Sequence, residues 1–411
     1  MKFRFIFITI IGLCFSLASV AAPEHIIVMD GGSTSTRAFL FSYEETPLAQ
    51  DDYPALTLHT KVSYKLPVTD PVFSNDPVAY FDTVFASLND QYALTSEQRA
   101  QTPVYFMATA GVRGLPEEEQ DTLINSIQDS LDISAQAQGY YIEQPLTQSV
   151  RVISGSEEGL YAWLSTQYWN DLLKQPTLTG NNTEPVMEMG GSSTQIGFLP
   201  NKAPTEHGFP YQHNDIEYLP YIYSYANFGN EARLATLYAL YQNNKIPDFP
   251  ACFPVDAPYP LTDPQLIGEG DFQRCQAAVQ KATYVANPCE NCSKMGVYQP
   301  RIVTDRATLT SGYFYTFNIL GLSRQRINLA KLEKPATNFC ATDWETLKKK
   351  HPTETESILL EYCFYAAWHD TVLRGYGFDG GSMVLATETI NGVKDGADWA
   401  TGATWVILTG R

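Results

Sequence analysis

The feature that most constrains the fold of this chain is a short motif that occurs twice. Residues 30–34 (DGGST) and residues 188–194 (EMGGSST) each place a carboxylate at the end of a predicted strand, then glycines, hydroxyl residues and a new strand. Glycine permits a tight turn and brings backbone N–H groups close to a ligand. Successive amides form an anion-binding nest, and a carboxylate just before it is suited to holding a hydrated metal ion. One such loop could be a plain hairpin turn, but two in the same order predict two similar halves that bind phosphate.

Predicted strands and helices alternate along the chain. Two strand–turn–strand units, at 25–43 and 186–199, are joined by further strands at 103–109 and 149–153. Helices are predicted at 116–131, 154–169, 229–243, 311–322, 355–374 and 398–408. This alternation predicts an α/β protein, and the 411 residues are enough for two domains with separate cores.

The first 22 residues have the features of an export signal. A basic start at Lys2 and Arg4 precedes an apolar run over 5–18, and small residues lead to Pro23. This order predicts a signal peptide, residues 1–22, cleaved after Ala21 or Ala22. A membrane anchor is the alternative, but the apolar run is short for a span. We therefore expect a secreted or periplasmic protein, with no membrane span after cleavage.

The cysteine content agrees with export. Seven cysteines are present, and Cys14 leaves with the signal peptide. The remaining six are Cys252, Cys275, Cys289, Cys292, Cys340 and Cys363. An even number in an exported chain predicts three disulfides. A zinc site is the alternative, because Cys289 and Cys292 have CxxC spacing, but a second such pair and a nearby histidine are both missing from the sequence.

The charge of the chain limits its partners. A net charge of −18 and a pI near 4.7 argue against binding to a nucleic acid, and the sequence has no basic cluster. Acidity does not exclude a small phosphate ligand, provided that backbone amides and a metal ion neutralise it locally.

Two further segments carry candidate catalytic groups. Residues 108–113 (ATAGVR) end a predicted strand and place Arg113 one turn later, where its planar guanidinium could bind phosphate or form a surface ion pair. In residues 154–159 (SGSEEG), Glu157 has capping-box spacing from Ser154 and so a structural role. Glu158 has no such structural role, and a carboxylate in this position can act as a general base for a bound water.

Five segments together resemble a known family. DGGSTSTR, ATAGVRGL, ISGSEEGLYAWL, EMGGSSTQIGF and DWATGATW stand in the order of the five apyrase conserved regions. The chain thus resembles the ecto-nucleoside triphosphate diphosphohydrolases, or apyrases, of the actin, hexokinase and heat-shock chaperone ATPase superfamily. The resemblance implies two RNase H-like, actin-like ATPase lobes with an interdomain nucleotide cleft. It places residues 23–150 plus 381–411 in lobe I and residues 151–380 in lobe II.

The resemblance also implies a role for each matching residue. Glu158 would be the general base, and Ser193 and Gln195 would hold the attacking water. Asp30, Glu188 and Trp399 would hold a divalent metal ion (Mg²⁺, Ca²⁺ or Mn²⁺) through its waters. The implied phosphate-binding residues are Gly32, Ser33, Thr34, Thr109, Arg113, Gly191 and Ser192. Tyr315 is our candidate for a ring stacked on the base, although aromatic residues are more often part of a core.

Expectations about the substrate follow from the same resemblance. We expect a monomer that cuts ATP, with ADP, GTP and UTP as further candidates. The family usually has Asp-Ala-Gly-Ser where this chain has residues 30–33, aspartate where it has Glu188, and asparagine where it has Gln167. The last two changes lie in segments expected beside the phosphate site and leave diphosphate cleavage open.

The bridges are paired as Cys252–Cys275, Cys289–Cys292 and Cys340–Cys363. Spacing alone cannot choose among the fifteen pairings of six cysteines, and the last pair follows the family pattern most closely.

Two other functions remain as alternatives. An exopolyphosphatase-like hydrolase of the same superfamily would share the loops and the glutamate, but the export signal, the cysteines and the DWATGATW segment disfavour it. A non-catalytic, actin-like nucleotide-binding protein would need neither Glu158 nor Gln195.

Overall fold

Two β-sheets organise the chain, as the alternating pattern predicts. The computed structural model describes residues 24–44, 54–259 and 266–410, so the predicted signal peptide lies outside the described residues. The strands are β1 (Glu24–Gly31), β2 (Thr36–Glu44), β3 (Ala55–Tyr64), β4 (Val104–Ala108), β5 (Val150–Val152), β6 (Val186–Met189), β7 (Ser193–Phe198), β8 (Tyr211–His213), β9 (Ile216–Tyr218), β10 (Tyr221–Ala226), β11 (Arg306–Ser311), β12 (Arg326–Asn328), β13 (Met383–Ala386), β14 (Thr389–Ile390) and β15 (Val393–Lys394).

The two large sheets have the same strand order. In the first sheet the order is β3-β2-β1-β4-β5, with β1, β2 and β3 antiparallel and β4 and β5 parallel to β1. The second sheet, β10-β7-β6-β11-β13-β12, repeats this pattern and adds β12 as an antiparallel edge strand. The first glycine loop joins β1 to β2 and the second joins β6 to β7, so the loops lie on different sheets. The predicted α/β class with two repeated units is confirmed.

Helices cover both sheets. They are α1 (Pro71–Asn75), α2 (Pro77–Gln91), α3 (Ser96–Ala100), α4 (Ala110–Arg113), α5 (Glu117–Gln138), α6 (Leu146–Ser149), α7 (Gly155–Trp169), α8 (Asn230–Gln242), α9 (Phe272–Thr283), α10 (Gly312–Ile319), α11 (Glu333–Cys340), α12 (Trp344–Lys350), α13 (Glu356–Gly375) and α14 (Ala400–Thr409). None of the helices within the described residues is long and apolar enough to cross a bilayer.

Three hydrophobic cores correspond to three layers of packing. One face of the first sheet packs against α2 and α5, and the outer face of the second sheet packs against α10, on which α13 and then α9 pack in turn. The third core lies between the sheets, where α7 and α14 pack against each other, α7 against β6, β7 and β10, and α14 against β1. The last helix thus returns to the first sheet, and the glycine loops meet at one end of this central layer.

The proposed lobe boundaries need one adjustment. The resemblance places residues 381–411 in lobe I, but β13 pairs with β11 and β12 in the second sheet. The chain therefore returns to the first sheet only beyond Ala386. The division into lobes otherwise stays a proposal.

The six described cysteines form the three predicted pairs. The structure joins Cys252 to Cys275, Cys289 to Cys292 and Cys340 to Cys363. Cys252, Cys275, Cys340 and Cys363 are buried in the core behind the second sheet. The zinc alternative for the CxxC pair is therefore replaced by a disulfide.

Candidate active site

The two glycine loops have the same turn and face each other. The N–H of Gly32 donates to the carbonyl of Ser35 at 3.0 Å, and the N–H of Gly190 donates to the carbonyl of Ser193 at 2.9 Å. A Cβ atom on Gly191 would lie 2.6 Å from Ser33 Oγ, so the loops approach each other closely. A side chain at this position would also clash with the Glu231 carboxylate of α8, so both the other loop and this helix require the glycine.

Helix α8 begins directly against the second loop. The first N–H groups of this helix donate to the loop carbonyls: Asn230 to Gly190 at 3.0 Å, and Glu231 and Ala232 to Gly191 at 3.0 and 3.2 Å. In a trans peptide the C=O and the following N–H point in opposite directions. The N–H groups of Gly191 and Ser192 therefore point away from the helix and are free of its hydrogen bonding.

Glu158 lies at the centre of a hydrogen-bond network. The residue is 6% exposed, and one carboxylate oxygen accepts from Arg113 Nη2 at 2.9 Å and from Gln195 Nε2 at 3.1 Å. Gln195 Nε2 also lies 2.8 Å from Ser193 Oγ and 3.1 Å from Ser224 Oγ. The structure thus brings together all three residues assigned to water activation, with Arg113 beside them.

Glu157, the neighbour of Glu158, is fully engaged in structure. Its carboxylate accepts from the N–H of Ser154 at 2.8 Å, while the Ser154 hydroxyl accepts from the N–H of Glu157 at 3.1 Å. Arg151 adds an ion pair at 2.7 Å. The predicted capping box is confirmed, and it fixes the first turn of α7, from which Glu158 extends into the network.

Asp30 is held from one side by an arginine that the sequence analysis did not single out. Arg37 donates one Nη to Asp30 and the other to Asp398 at 2.8 Å. Asp30 Oδ2 is therefore occupied, whereas Asp30 Oδ1 is buried without a hydrogen-bond partner among the described residues. The antiparallel pairing of Asp30 with Arg37 across β1 and β2 places the two side chains together.

Glu188 has the same arrangement on the second sheet. The Ser311 hydroxyl donates to Glu188 Oε1 at 2.9 Å, and Glu188 Oε2 is buried without a partner in the described part of the chain. Each of the two predicted metal-holding carboxylates thus has one oxygen fixed and one buried oxygen left over.

The electrostatics of the cleft favour a cation. Burial raises the pKa of Asp30 to about 7, although Arg37 opposes this shift. Burial also raises the pKa of Glu158, with Arg113 opposing, and raises that of Glu188 well above its usual range, with Glu158 adding repulsion. A divalent cation near these groups would favour their ionised forms.

The residues fit a hydrated cation better than a directly bound one. Within the described ranges, no three His, Cys, Asp or Glu side chains form a cluster suited to direct metal ligation. The free oxygens of Asp30 and Glu188 can instead accept hydrogen bonds from metal-bound waters, which is how Mg²⁺ is often held. The role of Asp30 and Glu188 in holding a metal ion through its waters stays a prediction.

The other predicted residues lie in different surroundings. Thr109 donates its N–H to the carbonyl of Gly31 at 3.0 Å, so it supports the first loop. Trp399 is buried with its ring stacked on Tyr161, and its neighbour Asp398 is the residue that reaches Arg37. Tyr315 is 53% exposed and interacts electrostatically with Arg37, which places it near the cleft. The loop residues Gly32, Ser33, Thr34, Gly191 and Ser192 are partly or fully exposed.

Gln167 does not lie beside the phosphate site, and that expectation is wrong. It is fully buried, and its amide both accepts from the N–H of Glu184 and donates to the carbonyl of Glu184, at 2.8 and 2.9 Å. Glu184 precedes β6, whereas Glu188 lies near the opposite end of that strand. Helical spacing correctly placed Gln167 on α7, but the helix carries it away from the loops.

The sequence analysis missed Arg37, Asp398, Ser224 and Ser311. Arg37 and Asp398 do occur within DGGSTSTR and DWATGATW, so their charge at motif positions was an available signal. Ser224 and Ser311 become recognisable only through strand pairing, with β7 for Ser224 and with β6 for Ser311.

Comparisons with known proteins identify a single family. The profile of the GDA1/CD39 (nucleoside phosphatase) family matches residues 18–409. Ectonucleoside triphosphate diphosphohydrolase 1 of Bos taurus is 27% identical over 87% of this chain and 76% of its own length. The Golgi apyrase of Saccharomyces cerevisiae is 25% identical over 89% of this chain and 65% of its own length.

Solved structures show the same fold. Nucleoside triphosphate hydrolases from Neospora caninum align with a TM-score of 0.65 at 17% identity, covering 93% of this chain and 92% of theirs. A Ppx/GppA family member from Aquifex aeolicus aligns with a TM-score of 0.52 at 12% identity, over 95% of this chain and 99% of its own. At these identities the likeness concerns the fold alone.

Proposed function

The chain belongs to the GDA1/CD39 family of nucleoside phosphatases, and we propose that it removes the terminal phosphate of nucleoside triphosphates with Glu158 as general base and with help from a divalent metal ion. The observation that carries this proposal is the network in which Glu158, Gln195 and Ser193 meet between the two glycine loops. A nucleotide-binding protein without catalysis has no use for a buried carboxylate at this place.

The phosphates would bind across the two loops. The N–H groups of Gly191 and Ser192 are turned away from α8, and the positive end of the α8 dipole lies behind them, which favours an anion. The first loop offers N–H groups and hydroxyls of Gly32, Ser33 and Thr34 from the opposite side. Nucleoside triphosphates are the primary substrates in this proposal, and ADP, GTP and UTP are further candidates.

The attacking water would lie between Glu158 and the amide–hydroxyl pair of Gln195 and Ser193. Gln195 Oε1 is buried and lacks a hydrogen-bond partner among the described residues, so it can accept from this water. Glu158 takes the proton as the water oxygen bonds to the terminal phosphorus, and the bond to the bridging oxygen breaks to release the diphosphate. Arg113 holds the carboxylate at 2.9 Å and supplies positive charge near the phosphoryl oxygens.

Asp30 and Glu188 would hold the metal ion through its waters. A bound divalent cation would neutralise the charge on the phosphates in the transition state. Four carboxyl groups, those of Asp30, Glu158, Glu188 and Asp398, face two guanidinium groups here, and the raised pKa values of Asp30, Glu158 and Glu188 mean that the protein alone does not stabilise all of these groups in the ionised form. A bound divalent cation would favour their ionised forms, with Mg²⁺, Ca²⁺ and Mn²⁺ as candidates.

Export of the protein is part of the same proposal. The apolar segment and small residues over 1–22 support a signal peptide, and the three disulfides fit an oxidising compartment. We propose a secreted or periplasmic monomer that acts on nucleotides outside the cytoplasm.

Replacement of Glu158 by glutamine tests the general base. Glu158→Gln preserves the size of the side chain but removes the proton acceptor, so the kcat for ATP should fall by about 10²-fold or more. Binding of a non-hydrolysable ATP analogue should persist, because both loops are intact. Phosphate release and calorimetric binding measure these two effects.

Glu157→Gln is the matched control, because it changes the adjacent carboxylate. It should weaken the capping box and the ion pair to Arg151 but leave kcat within a few-fold. Near-normal ATP hydrolysis by Glu158→Gln would show the base assignment to be wrong. Long-chain polyphosphate, offered in place of ATP, should release little phosphate.

A further inference from the structure

Ser311 lies at the point where a strand of the second sheet turns into a helix. Strand β11 runs parallel to β6, with Thr310 opposite Glu188 and Ser311 opposite Met189. Because the carboxyl ends of parallel strands meet at one edge of a sheet, Ser311 is carried to the end of β6 that bears Glu188. Its hydroxyl donates to Glu188 Oε1 at 2.9 Å.

The backbone of Ser311 has a conformation that residues with side chains rarely adopt. Its φ is 57° and its ψ is −124°, and glycine is the residue that adopts such angles at least cost. A serine at a position where glycine would be relaxed suggests that the hydroxyl has a function. The next residue, Gly312, begins α10, so the turn cannot easily move without moving the helix.

The hydrogen bond decides which oxygen of Glu188 remains available. Oε1 is occupied by Ser311, and Oε2 is buried without a partner among the residues that the structure describes. Glutamate has a longer and more flexible side chain than aspartate, so a fixed oxygen restricts the carboxylate to one orientation. On the first sheet, Arg37 restricts Asp30 in the same way.

We propose that Ser311 is a positioning residue that orients Glu188 so that its free oxygen faces the water shell of the metal ion. This inference rests on the proposed function, because it assumes that Glu188 holds the metal. In this proposal Ser311 acts through Glu188 and does not itself contact substrate or metal. Its removal should therefore weaken the contribution of the metal to nucleotide binding and leave metal-independent binding by the loops unchanged.

Two variants separate the hydroxyl from the backbone. Ser311→Ala removes the hydroxyl and keeps the strained turn, whereas Ser311→Gly removes the hydroxyl and relaxes the turn. If the hydroxyl is what matters, both variants should show the same metal defect, although Ser311→Gly should melt at the higher temperature. Ser323→Ala is the control, because Ser323 is a half-buried serine shortly after the same helix, and its hydroxyl donates to Asn318 Oδ1 at 2.9 Å.

The measurement is calorimetric binding of AMPPNP to the full chain, once in EDTA and once in saturating Mn²⁺. The ratio of the two dissociation constants gives the gain in affinity that the metal provides. We expect this gain to fall about 10-fold in both Ser311 variants, as for the loss of a hydrogen bond to a charged group. Affinity in EDTA should stay unchanged, and Ser323→Ala should resemble wild type in both conditions.

Catalysis provides a second readout. The Mn²⁺ concentration that half-saturates ATP hydrolysis should rise in both Ser311 variants, while kcat at saturating Mn²⁺ should change less. An undiminished metal gain in Ser311→Ala, or an equal loss of affinity in EDTA and in Mn²⁺, would overturn the proposal. Failure of the wild-type protein to release phosphate from ATP would instead contradict the proposed function itself.

Discussion

Gln167 is a buried amide whose hydrogen bonds join helix α7 to the segment before β6. Its Oε1 accepts from the N–H of Glu184, and its Nε2 donates to the carbonyl of Glu184 and to that of Trp163 at 3.1 Å. These bonds fasten α7 to the segment that leads into β6. Since Gln167 is fully buried, any of these groups that loses its partner would remain unsatisfied.

Gln167→Asn should therefore destabilise the protein without altering its substrate preference. The shorter side chain cannot reach both backbone groups of Glu184, so the free energy of unfolding should fall by about 2 kcal/mol. Denaturant unfolding measures this loss, and the ratio of ADP to ATP hydrolysis should match that of wild type. Gln136→Asn, at an exposed position, is the control and should change the unfolding free energy little. A stable Gln167→Asn variant with an altered ratio of ADP to ATP hydrolysis would instead support a role for Gln167 at the phosphate site.

Single residues could be predicted where the motif that contains them indicates their chemical role. Glu158 could be found because Ser154 and Glu157 account for the capping box and leave the next carboxylate without a structural task. The charge of Arg37 within its motif was visible in the sequence, but its partners were not, because they are Asp30 on the neighbouring strand and Asp398, 361 residues away in sequence. Neither motif alone indicates which residues form this ion pair.

At the level of elements, the start of α8 explains how the second phosphate loop keeps its shape. The helix lacks a side-chain cap, and its first N–H groups are satisfied by the carbonyls of Gly190 and Gly191 instead. Gly229 permits this seating, because a Cβ at that position would contact the backbone of Gly191 and Ser192. The loop and the helix thus fix each other.

Gly229→Ala should disturb the loop more than the helix. Gly229 has φ −73° and ψ 171°, which alanine adopts freely, so the effect would come from the contact alone. We expect kcat/KM for ATP to fall about 10- to 100-fold as the loop shifts, with a loss of about 1–3 kcal/mol in stability. Steady-state kinetics and thermal unfolding measure the two effects.

Gly380→Ala is the control for this substitution. The added Cβ there would meet only the Ala330 side chain, at 3.3 Å, and should leave kcat/KM near the wild-type value. Normal kinetics in Gly229→Ala would mean that the second loop does not depend on α8 for its position.

Some elements were easier to predict than others. The helix over 154–169 was predicted to within one residue, because both its cap and its apolar residues are local signals. The helix predicted over 116–131 continues to Gln138 and ends at Gly139, whose φ of 86° is a left-handed cap. Helix α2, Pro77–Gln91, was missed, although Asp76 caps it and proline begins it.

For the whole molecule, the repeated motif was sufficient to predict two similar sheets. Each copy marks the first hairpin of a sheet, and the following parallel strands add to it in the same order. The motif could not reveal that α7 and α14 fill the space between the sheets, since their apolar residues fit any core. The sequence also did not indicate that β13 belongs to the second sheet, because no local pattern marks the point where the chain passes from one lobe to the other.

The disulfides are unevenly distributed between the two halves of the molecule. All three bridges lie between Cys252 and Cys363, and two of them each join residues 23 apart in the core behind the second sheet. The third bridge closes a loop with a sequence separation of only 3 at an exposed site. Chain entropy predicts about 3.5 kcal/mol of stabilisation for each long loop and about 2 kcal/mol for the short one.

Removal of one buried bridge should therefore loosen the second sheet and spare the first. In a Cys340→Ala, Cys363→Ala double variant, we expect a loss of about 3–4 kcal/mol. Hydrogen exchange should speed up in α11 and α13, while the amides of β1 and β4 stay protected. The Cys289→Ala, Cys292→Ala double variant is the control, with a smaller loss and little change in exchange at α13. Equal loss of protection in both sheets would show that the molecule unfolds as one cooperative unit, and the bridges would then stabilise the first glycine loop as much as the second.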